Sequence, residues 1–188
     1  MLLLSIFLVS FFLKRFYLNE QHLISKSFVG IFTTYDKIQR RRYIRECYNS
    51  KLDLNVDLRF IIGKAKDSEE EIKLQDEQIE FGDLVILDID ENMNNGKTFE
   101  FFRFASQLKG YDFISKADDD VYIHLTNFMQ RLDDIKMGLG YKFKGVYFGR
   151  KLELYKHTFM TGMLYTLSFD LVTTIANDDF AMDNKEGE

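Results

Sequence analysis

Three consecutive aspartates, Asp118, Asp119 and Asp120, are the residues best suited to chemistry, and together they are called the acidic triplet below. Adjacent carboxylates repel one another, so such a triplet is tolerated only where solvent or a cation neutralises it. Mn²⁺ and Mg²⁺ prefer oxygen ligands, and one or two carboxylates plus a diphosphate would complete their coordination shell. The triplet therefore predicts either a metal–diphosphate site or a solvated acidic turn in which Asp120 caps the next helix.

The acidic triplet follows one strand in a regular alternation of strands and helices. Apolar runs predict strands at residues 28–34, 58–62, 84–89, 112–116, 146–148 and 163–167. Amphipathic runs predict helices at residues 38–48, 67–81, 97–108, 126–137 and 169–175, the first of them capped by Asp36. This order indicates an α/β fold, Rossmann-like, with a mostly parallel sheet and helices on both faces.

Parallel sheets of this kind bind ligands beyond the carboxyl ends of their strands. Functional residues are therefore expected just after Thr34, Gly63, Ile89 and Lys116. The acidic triplet lies at the last of these positions. The residues after the other three strands are expected to surround it.

Composition and charge narrow the class of protein. A chain of 188 residues with 46% hydrophobic and 29% charged residues suits one domain with a buried core. A net charge of -5 argues against a dedicated nucleic-acid binder. The single cysteine, Cys47, excludes an internal disulfide and an all-cysteine metal cluster. The basic run at residues 40–42 is interpreted as a solvated helix face.

Two other segments resemble known ligand-binding loops but lack residues that those loops require. Gly96 and Lys97 follow a strand and begin a helix as in a P-loop, but Glu91 stands where that loop needs glycine. The acidic stretch at residues 88–92 lacks the turn glycine and the closing glutamate of a calcium loop. A dinucleotide-binding glycine motif follows none of the strands, which leaves a dehydrogenase without support.

The N-terminal 13 residues are nearly all apolar, and Lys14 and Arg15 follow them. This run is shorter than the roughly 20 residues of a membrane-spanning helix, but it fits a signal-peptide core of about 7–15 residues. With snorkelling basic side chains, residues 1–18 are expected to be a signal anchor or a signal-peptide-like apolar segment, followed by a short stem at residues 19–27. The charges after the run favour a cytoplasmic C-terminus. A truncated or mis-started N-terminus is the alternative.

Over residues 28–188 the chain resembles the beta-1,3-galactosyltransferase-like family of hexosyltransferases, glycosyltransferase family 31. Six ordered segments carry the resemblance, at residues 42–48, 60–63, 77–90, 95–98, 116–121 and 161–168. The first resembles a family helix that ends I-R-x-T-W, with Cys47 and Tyr48 in place of Thr and Trp. The fifth, K-A-D-D-D-V, is similar to the family's K-x-D-D-D-V motif for nucleotide sugar and manganese.

The resemblance implies a GT-A fold and an inverting hexosyltransferase. It would move galactose or an N-acetylhexosamine from a UDP-sugar to an acceptor hydroxyl on a glycan, glycoprotein or glycolipid, forming a beta-1,3 linkage. Mn²⁺ or Mg²⁺ would be held by Asp120 and Asp118. Donor contacts would come from Arg45, Lys97, Asp118 and Asp119. The alternatives are an ion pair on a basic helix for Arg45, an exposed helix start for Lys97 and a structural role for Asp119. The implied location is the Golgi membrane, as a single-pass type II protein with a lumenal catalytic domain; the endoplasmic reticulum or secretion is the alternative.

The family's late E-D-V motif carries the aspartate thought to be the catalytic base. Glu188, the last residue of this sequence, matches the glutamate of that motif, and the aspartate would be the next residue. Glu188 is therefore the candidate catalytic residue, with Asp183 and Glu186 as stand-ins. The expectation is a glycosyltransferase domain at residues 28–188 that is incomplete at its C-terminus. A catalytically inactive UDP-sugar-binding fragment is the alternative function.

Overall fold

The computed structural model describes residues 24–48, 55–92, 96–154 and 157–178. The predicted signal anchor at residues 1–18, most of the predicted stem and the C-terminal candidates Asp183, Glu186 and Glu188 lie outside the described residues. Among the described residues, none of the helices combines the length and the apolarity needed to span a bilayer.

Six strands and five helices alternate along the described chain. The strands are β1 (Ser27–Phe32), β2 (Val56–Lys64), β3 (Leu84–Asp90), β4 (Phe113–Asp118), β5 (Tyr147–Leu154) and β6 (His157–Ser168). The helices are α1 (Ile38–Tyr48), α2 (Ser68–Phe81), α3 (Lys97–Ala105), α4 (Leu125–Leu139) and α5 (Phe169–Ala176), with 3₁₀ turns at Tyr35–Lys37 and Gly140–Lys142. β1 begins at Ser27, the last residue assigned to the predicted stem.

The strands form one sheet in the order β3-β2-β1-β4-β6-β5. β1 pairs in parallel with β2 and with β4, so that Phe32 lies opposite both Ile61 and Asp118. β3 is parallel to β2, and β6 is antiparallel to β4 and β5. The strand order reverses between β1 and β4, which makes the carboxyl ends of these two strands the switch point of the sheet.

Helices cover both faces of the sheet, because the side chains of β1 alternate between two apolar cores. Phe28 and Phe32 pack into the core with α3 and α5, whereas Val29 and Ile31 pack into the core with α1, α2 and α4. Gly30 is required by this packing, since a Cβ atom there would lie 2.4 Å from the Phe101 ring. The predicted Rossmann-like α/β architecture is confirmed.

Neither of the two helix caps that the sequence suggests is found in the structure. Asp36 does not cap α1; it lies within the 3₁₀ turn that leads into the helix and accepts a hydrogen bond from the Thr34 hydroxyl. Asp120 does not cap α4, because that position is taken by His124, whose Nδ1 accepts from the Asn127 N–H at 3.3 Å.

The two C-terminal strands are longer than predicted. The sequence indicates strands at residues 146–148 and 163–167, but β5 continues to Leu154 and β6 begins at His157. β5 lies at the edge of the sheet and pairs only with β6. An edge strand accepts polar residues such as Arg150 and Lys151, and these interrupt the apolar pattern on which the sequence prediction depended.

Candidate functional site

The acidic triplet lies at the switch point of the sheet, where the sequence predicts function. Asp118 is the last residue of β4 and lies beside Phe32 of β1. Asp119 and Asp120 continue into a turn, in which the Val121 N–H donates to the Asp118 carbonyl at 3.3 Å. The carboxyl end of β4 thus places all three carboxylates at the carboxyl edge of the sheet, beside the end of β1.

Asp118 is neutralised from its own strand. The Lys116 ammonium donates to Asp118 Oδ1 at 2.9 Å and reaches the Gly162 carbonyl of β6 at 3.4 Å. Asp118 Oδ2 lies beside Gly162, at 3.8 Å from the place that a Cβ atom would take there. Gly162 of β6 therefore borders the site through its carbonyl, which accepts from Lys116.

Asp119 is held by two groups from the other side of the switch point. Its Oδ2 accepts from the Thr33 hydroxyl at 2.7 Å, and its Oδ1 accepts from Arg40 Nη1 at 2.6 Å. Asp120 is exposed and makes no hydrogen bond or ion pair with any other described residue. The negative charges of Asp119 and, to a smaller extent, Asp120 raise the pKa of Arg40. The protein's own cations thus neutralise two of the three carboxylates, and Asp120 remains available.

Lys97 supports this arrangement from inside the protein. Its fully buried ammonium donates to the Thr33 carbonyl at 2.8 Å and to both carboxylate oxygens of Glu91, at 2.7 and 2.9 Å. Glu91 Oε2 also accepts from the Gly63 N–H at 2.6 Å. Burial lowers the pKa of Lys97, against the opposing effect of Glu91. The structure therefore shows Lys97 held behind the acidic triplet by Glu91 and Thr33, and its donor contact stays a prediction.

A glycine at the end of β2 makes the contact with Glu91 possible. A Cβ atom on Gly63 would lie 2.6 Å from the Cα and 2.8 Å from the backbone nitrogen of Glu91. Only glycine permits so close an approach of two backbone segments. Glu91, whose presence in the sequence excludes a P-loop, therefore pairs with Lys97, the lysine of that rejected motif.

Arg45 is not brought together with the acidic triplet. Its guanidinium donates to both carboxylate oxygens of Asp83 and to Glu77, at 2.7–2.8 Å, and lies 3.9 Å from the centre of the Phe81 ring. Asp83 precedes β3, so this cluster is at the amino end of that strand. Arg45 therefore forms the ion pairs expected of it as the alternative, at the opposite edge of the sheet, and its donor contact stays a prediction.

The basic run at residues 40–42 does not form one solvated face. Arg41 is fully buried and makes a bidentate ion pair with Glu77, with N···O distances of 2.8 and 2.6 Å. Arg41 Nη1 also donates to the Thr34 carbonyl at 2.6 Å, which stabilises the loop after β1. Burial would raise the pKa of Glu77, but the hydrogen bonds from Arg41 and Arg45 outweigh it and lower that pKa. The solvated-face interpretation holds for Arg42 and is wrong for Arg41.

The acidic triplet suits a divalent cation only when a ligand completes the shell. Within the described ranges, no three His, Cys, Asp or Glu side chains form a cluster that would hold a metal alone. Mg²⁺ and Mn²⁺ usually take one or two carboxylates together with phosphate oxygens. Asp120 and the Oδ2 atom of Asp118 fit that donor set. The 620 Å³ cavity beside α1 and β2 is lined by none of the three aspartates, so it does not form part of the site at the acidic triplet.

Three residues of this site escape prediction from the sequence: Thr33, Arg40 and Glu91. Thr33 ends an apolar run and Arg40 belongs to a basic run, so neither carries a signal of its own. Lys116 and Gly162 do stand in segments that resemble family motifs. Thr33 and Arg40 contact Asp119, which lies 86 and 79 residues away in the sequence, whereas Glu91 pairs with Lys97 only six residues later.

Comparison with known proteins gives consistent matches. Residues 39–145, which include the acidic triplet, match the family model described as Galactosyltransferase. The chain is 31% identical to Probable beta-1,3-galactosyltransferase 13 of Arabidopsis thaliana, over 85% of this chain and 55% of that protein. It is 30% identical to Beta-1,3-galactosyltransferase pvg3 of Schizosaccharomyces pombe, over 55% of this chain and 29% of that protein.

The chain thus spans about half, or less, of the length of these curated relatives. Among solved structures, it is similar to galactosyltransferase LgtC in complex with donor and acceptor sugar analogs. The sequence identity is 11% and the TM-score 0.43, over 85% of this chain and 63% of that one.

Proposed function

This chain belongs to the galactosyltransferase family, and from that premise we propose that it binds a UDP-sugar at the acidic triplet and transfers the hexose to an acceptor hydroxyl. The observation that carries the proposal is the exposed Asp120 at the switch point, beside two carboxylates that already have cationic partners. A diphosphate with a divalent cation complements one free carboxylate among positive groups. Family membership supports the reaction class, and the site supports the location of the donor.

The residues around the acidic triplet have distinct parts in the proposed reaction. Asp120 and Asp118 would hold Mn²⁺ or Mg²⁺, and this cation would supply Lewis-acid stabilisation of the UDP leaving group. Arg40 is 44% exposed and uses Nη1 for Asp119. Its guanidinium would therefore present its remaining N–H groups to a phosphate oxygen, as arginine commonly does.

The transfer itself forms a bond between the acceptor oxygen and the anomeric carbon while the bond from that carbon to the UDP oxygen breaks. Inversion follows when the acceptor attacks the face opposite UDP. A carboxylate base must take the acceptor proton as the new bond forms. The family resemblance implies that this base is the aspartate of the E-D-V motif. Glu188, which matches the glutamate beside that aspartate, is the proposed stand-in within this sequence, and the beta-1,3 linkage is proposed from the same resemblance. Residues 1–18 are proposed to anchor the protein in the Golgi membrane.

Release of UDP tests the proposed activity. The full chain would be incubated with Mn²⁺ and with UDP-galactose, UDP-N-acetylglucosamine or UDP-N-acetylgalactosamine, each with and without a galactoside acceptor. We expect acceptor-dependent UDP release from one donor, abolished by EDTA. Binding of a donor without release under any condition would contradict transfer and favour the inactive binding module. Absence of donor binding by the folded chain would contradict both.

A further inference from the structure

Thr33 connects the interior of the protein to the acidic triplet. It is 2% exposed and directly follows β1. Its N–H donates to the Ile61 carbonyl at 3.2 Å, its carbonyl accepts from Lys97 at 2.8 Å, and its hydroxyl donates to Asp119 at 2.7 Å. Every polar group of Thr33 is thus satisfied by a different element.

These contacts belong to one hydrogen-bonded path across the carboxyl edge of the sheet. On the interior side, Glu91 joins Gly63 at the end of β2 to Lys97 at the start of α3. On the outer side, Asp119 joins Thr33 to Arg40 of α1. Thr33 is the link between the two halves. Buried polar networks of this kind restrict their members when every group is satisfied.

The orientation of the Asp119 side chain determines which carboxylates of the acidic triplet can bind a ligand. Three adjacent carboxylates compete for the same cation and repel one another. The hydrogen bonds from Thr33 and Arg40 occupy both oxygens of Asp119, whose side chain is 13% exposed. Asp118 and Asp120 are then the carboxylates left to face a ligand.

We propose that Thr33 is a positioning residue: through its hydroxyl it withholds Asp119 from the ligand and orders the acidic turn, so that Asp118 and Asp120 alone receive the cation and the diphosphate. This proposal rests on the proposed function for the identity of the ligand. It assigns Asp119 an anchoring role, which is the structural one of the two roles that the sequence analysis left open for this residue. The same hydrogen bonds explain why a triplet is compatible with a one-cation site.

Two substitutions at Thr33 separate the hydroxyl from the volume of the side chain. Thr33→Val keeps the shape and removes the hydrogen bond, whereas Thr33→Ser keeps the hydroxyl. Thr173→Val is the matched control, because among the described residues the Thr173 hydroxyl bonds only to the Phe169 carbonyl within α5, at 2.9 Å. Affinity of the full chain for UDP with Mn²⁺ would be measured by calorimetry. Amide hydrogen exchange of residues 119–121 would be measured without ligand.

We expect Thr33→Val to weaken UDP binding about tenfold and to accelerate exchange in the acidic turn by a similar factor, the effect of losing one hydrogen bond to a charged group. Thr33→Ser and Thr173→Val should match the wild type in both measurements. Wild-type behaviour of Thr33→Val, or equal damage by Thr33→Ser, would overturn the proposal. If the wild type binds no UDP, the proposed function fails, and the exchange rates still decide whether Thr33 orders the turn.

Discussion

The ammonium of Lys97 lies 2.7 Å from Glu91 Oε1 and 2.8 Å from the carbonyl oxygen of Thr33, 64 residues earlier in the chain. Lys97 is fully buried and the Glu91 side chain is 11% exposed. Transfer of such charges out of water is unfavourable by several kcal/mol per ion, so the pair persists only because each group is also hydrogen-bonded. The pair therefore joins β1, β2 and α3 directly behind the acidic triplet.

Removal of the lysine charge should be strongly destabilising. We expect Lys97→Met to lower the free energy of unfolding by about 3–5 kcal/mol, because Glu91 would remain as an uncompensated charge. The double variant Lys97→Met/Glu91→Leu should recover part of the loss. Urea unfolding monitored by circular dichroism measures both effects.

The control for this prediction is Lys73→Met, which removes an exposed i,i+4 ion pair with Glu69 on α2. Exposed pairs of this kind contribute little, so no measurable change is expected. Equal stability of Lys97→Met and Lys73→Met would contradict the structural role of the buried pair.

Glu77 should make the stability of the protein sensitive to acid. The arginines that bond to Glu77 lower its pKa below the ordinary value of 4.5. A carboxylate with a lowered folded-state pKa contributes stability above that ordinary value and loses it as the pH falls through the folded-state pKa. Glu77→Gln should therefore be less stable than the wild type at pH 7 and should lose less stability below pH 4.5. Urea unfolding at a series of pH values tests this; parallel curves for the two proteins would refute it.

Much of the fold can be predicted from local sequence patterns. The predicted bounds of α1, residues 38–48, agree with the structure, and the four parallel strands are each found within a few residues of their predicted places. These elements follow from apolar periodicity, which the sequence carries locally. The location of the acidic triplet at a switch point follows from the same alternation of strands and helices.

The partners of charged residues cannot be predicted in this way. Arg41 and Arg42 are adjacent residues of the same type, yet of the two only Arg41 is buried. It is buried because it forms an ion pair with Glu77 of α2, 36 residues away in the sequence. The sequence allows an exposed helix start at Lys97, but in the structure this side chain is buried and paired with Glu91. Such pairings depend on tertiary contacts that hydrophobic periodicity does not encode. The sequence therefore predicts the strands and helices better than the partners of individual charged side chains.

Close packing at Gly30 gives a further test of the fold. A Cβ atom there would lie 2.4 Å from the Phe101 ring and 2.8 Å from Ile61. Gly30→Ala should therefore lower the free energy of unfolding by about 1–3 kcal/mol through overpacking. Gly138→Ala is the matched control, since nothing lies within 4 Å of a Cβ atom at that position in α4. Alanine favours the helix, so this control should be as stable as the wild type or more stable; destabilisation by both substitutions alike would contradict the packing argument.

Calorimetric titration of UDP into the full chain tests the central claim, that the acidic triplet is a cation-dependent nucleotide site. The wild type would be titrated with Mn²⁺ and again with EDTA, beside Asp120→Asn. The control is Asp134→Asn, which alters an exposed carboxylate on α4 whose one hydrogen-bond donor in the described part of the chain is Gln130. We predict binding that requires Mn²⁺, is weakened at least about tenfold in Asp120→Asn, and is unchanged in Asp134→Asn. Binding that survives EDTA, or equal affinity of folded Asp120→Asn and wild type, would contradict the account.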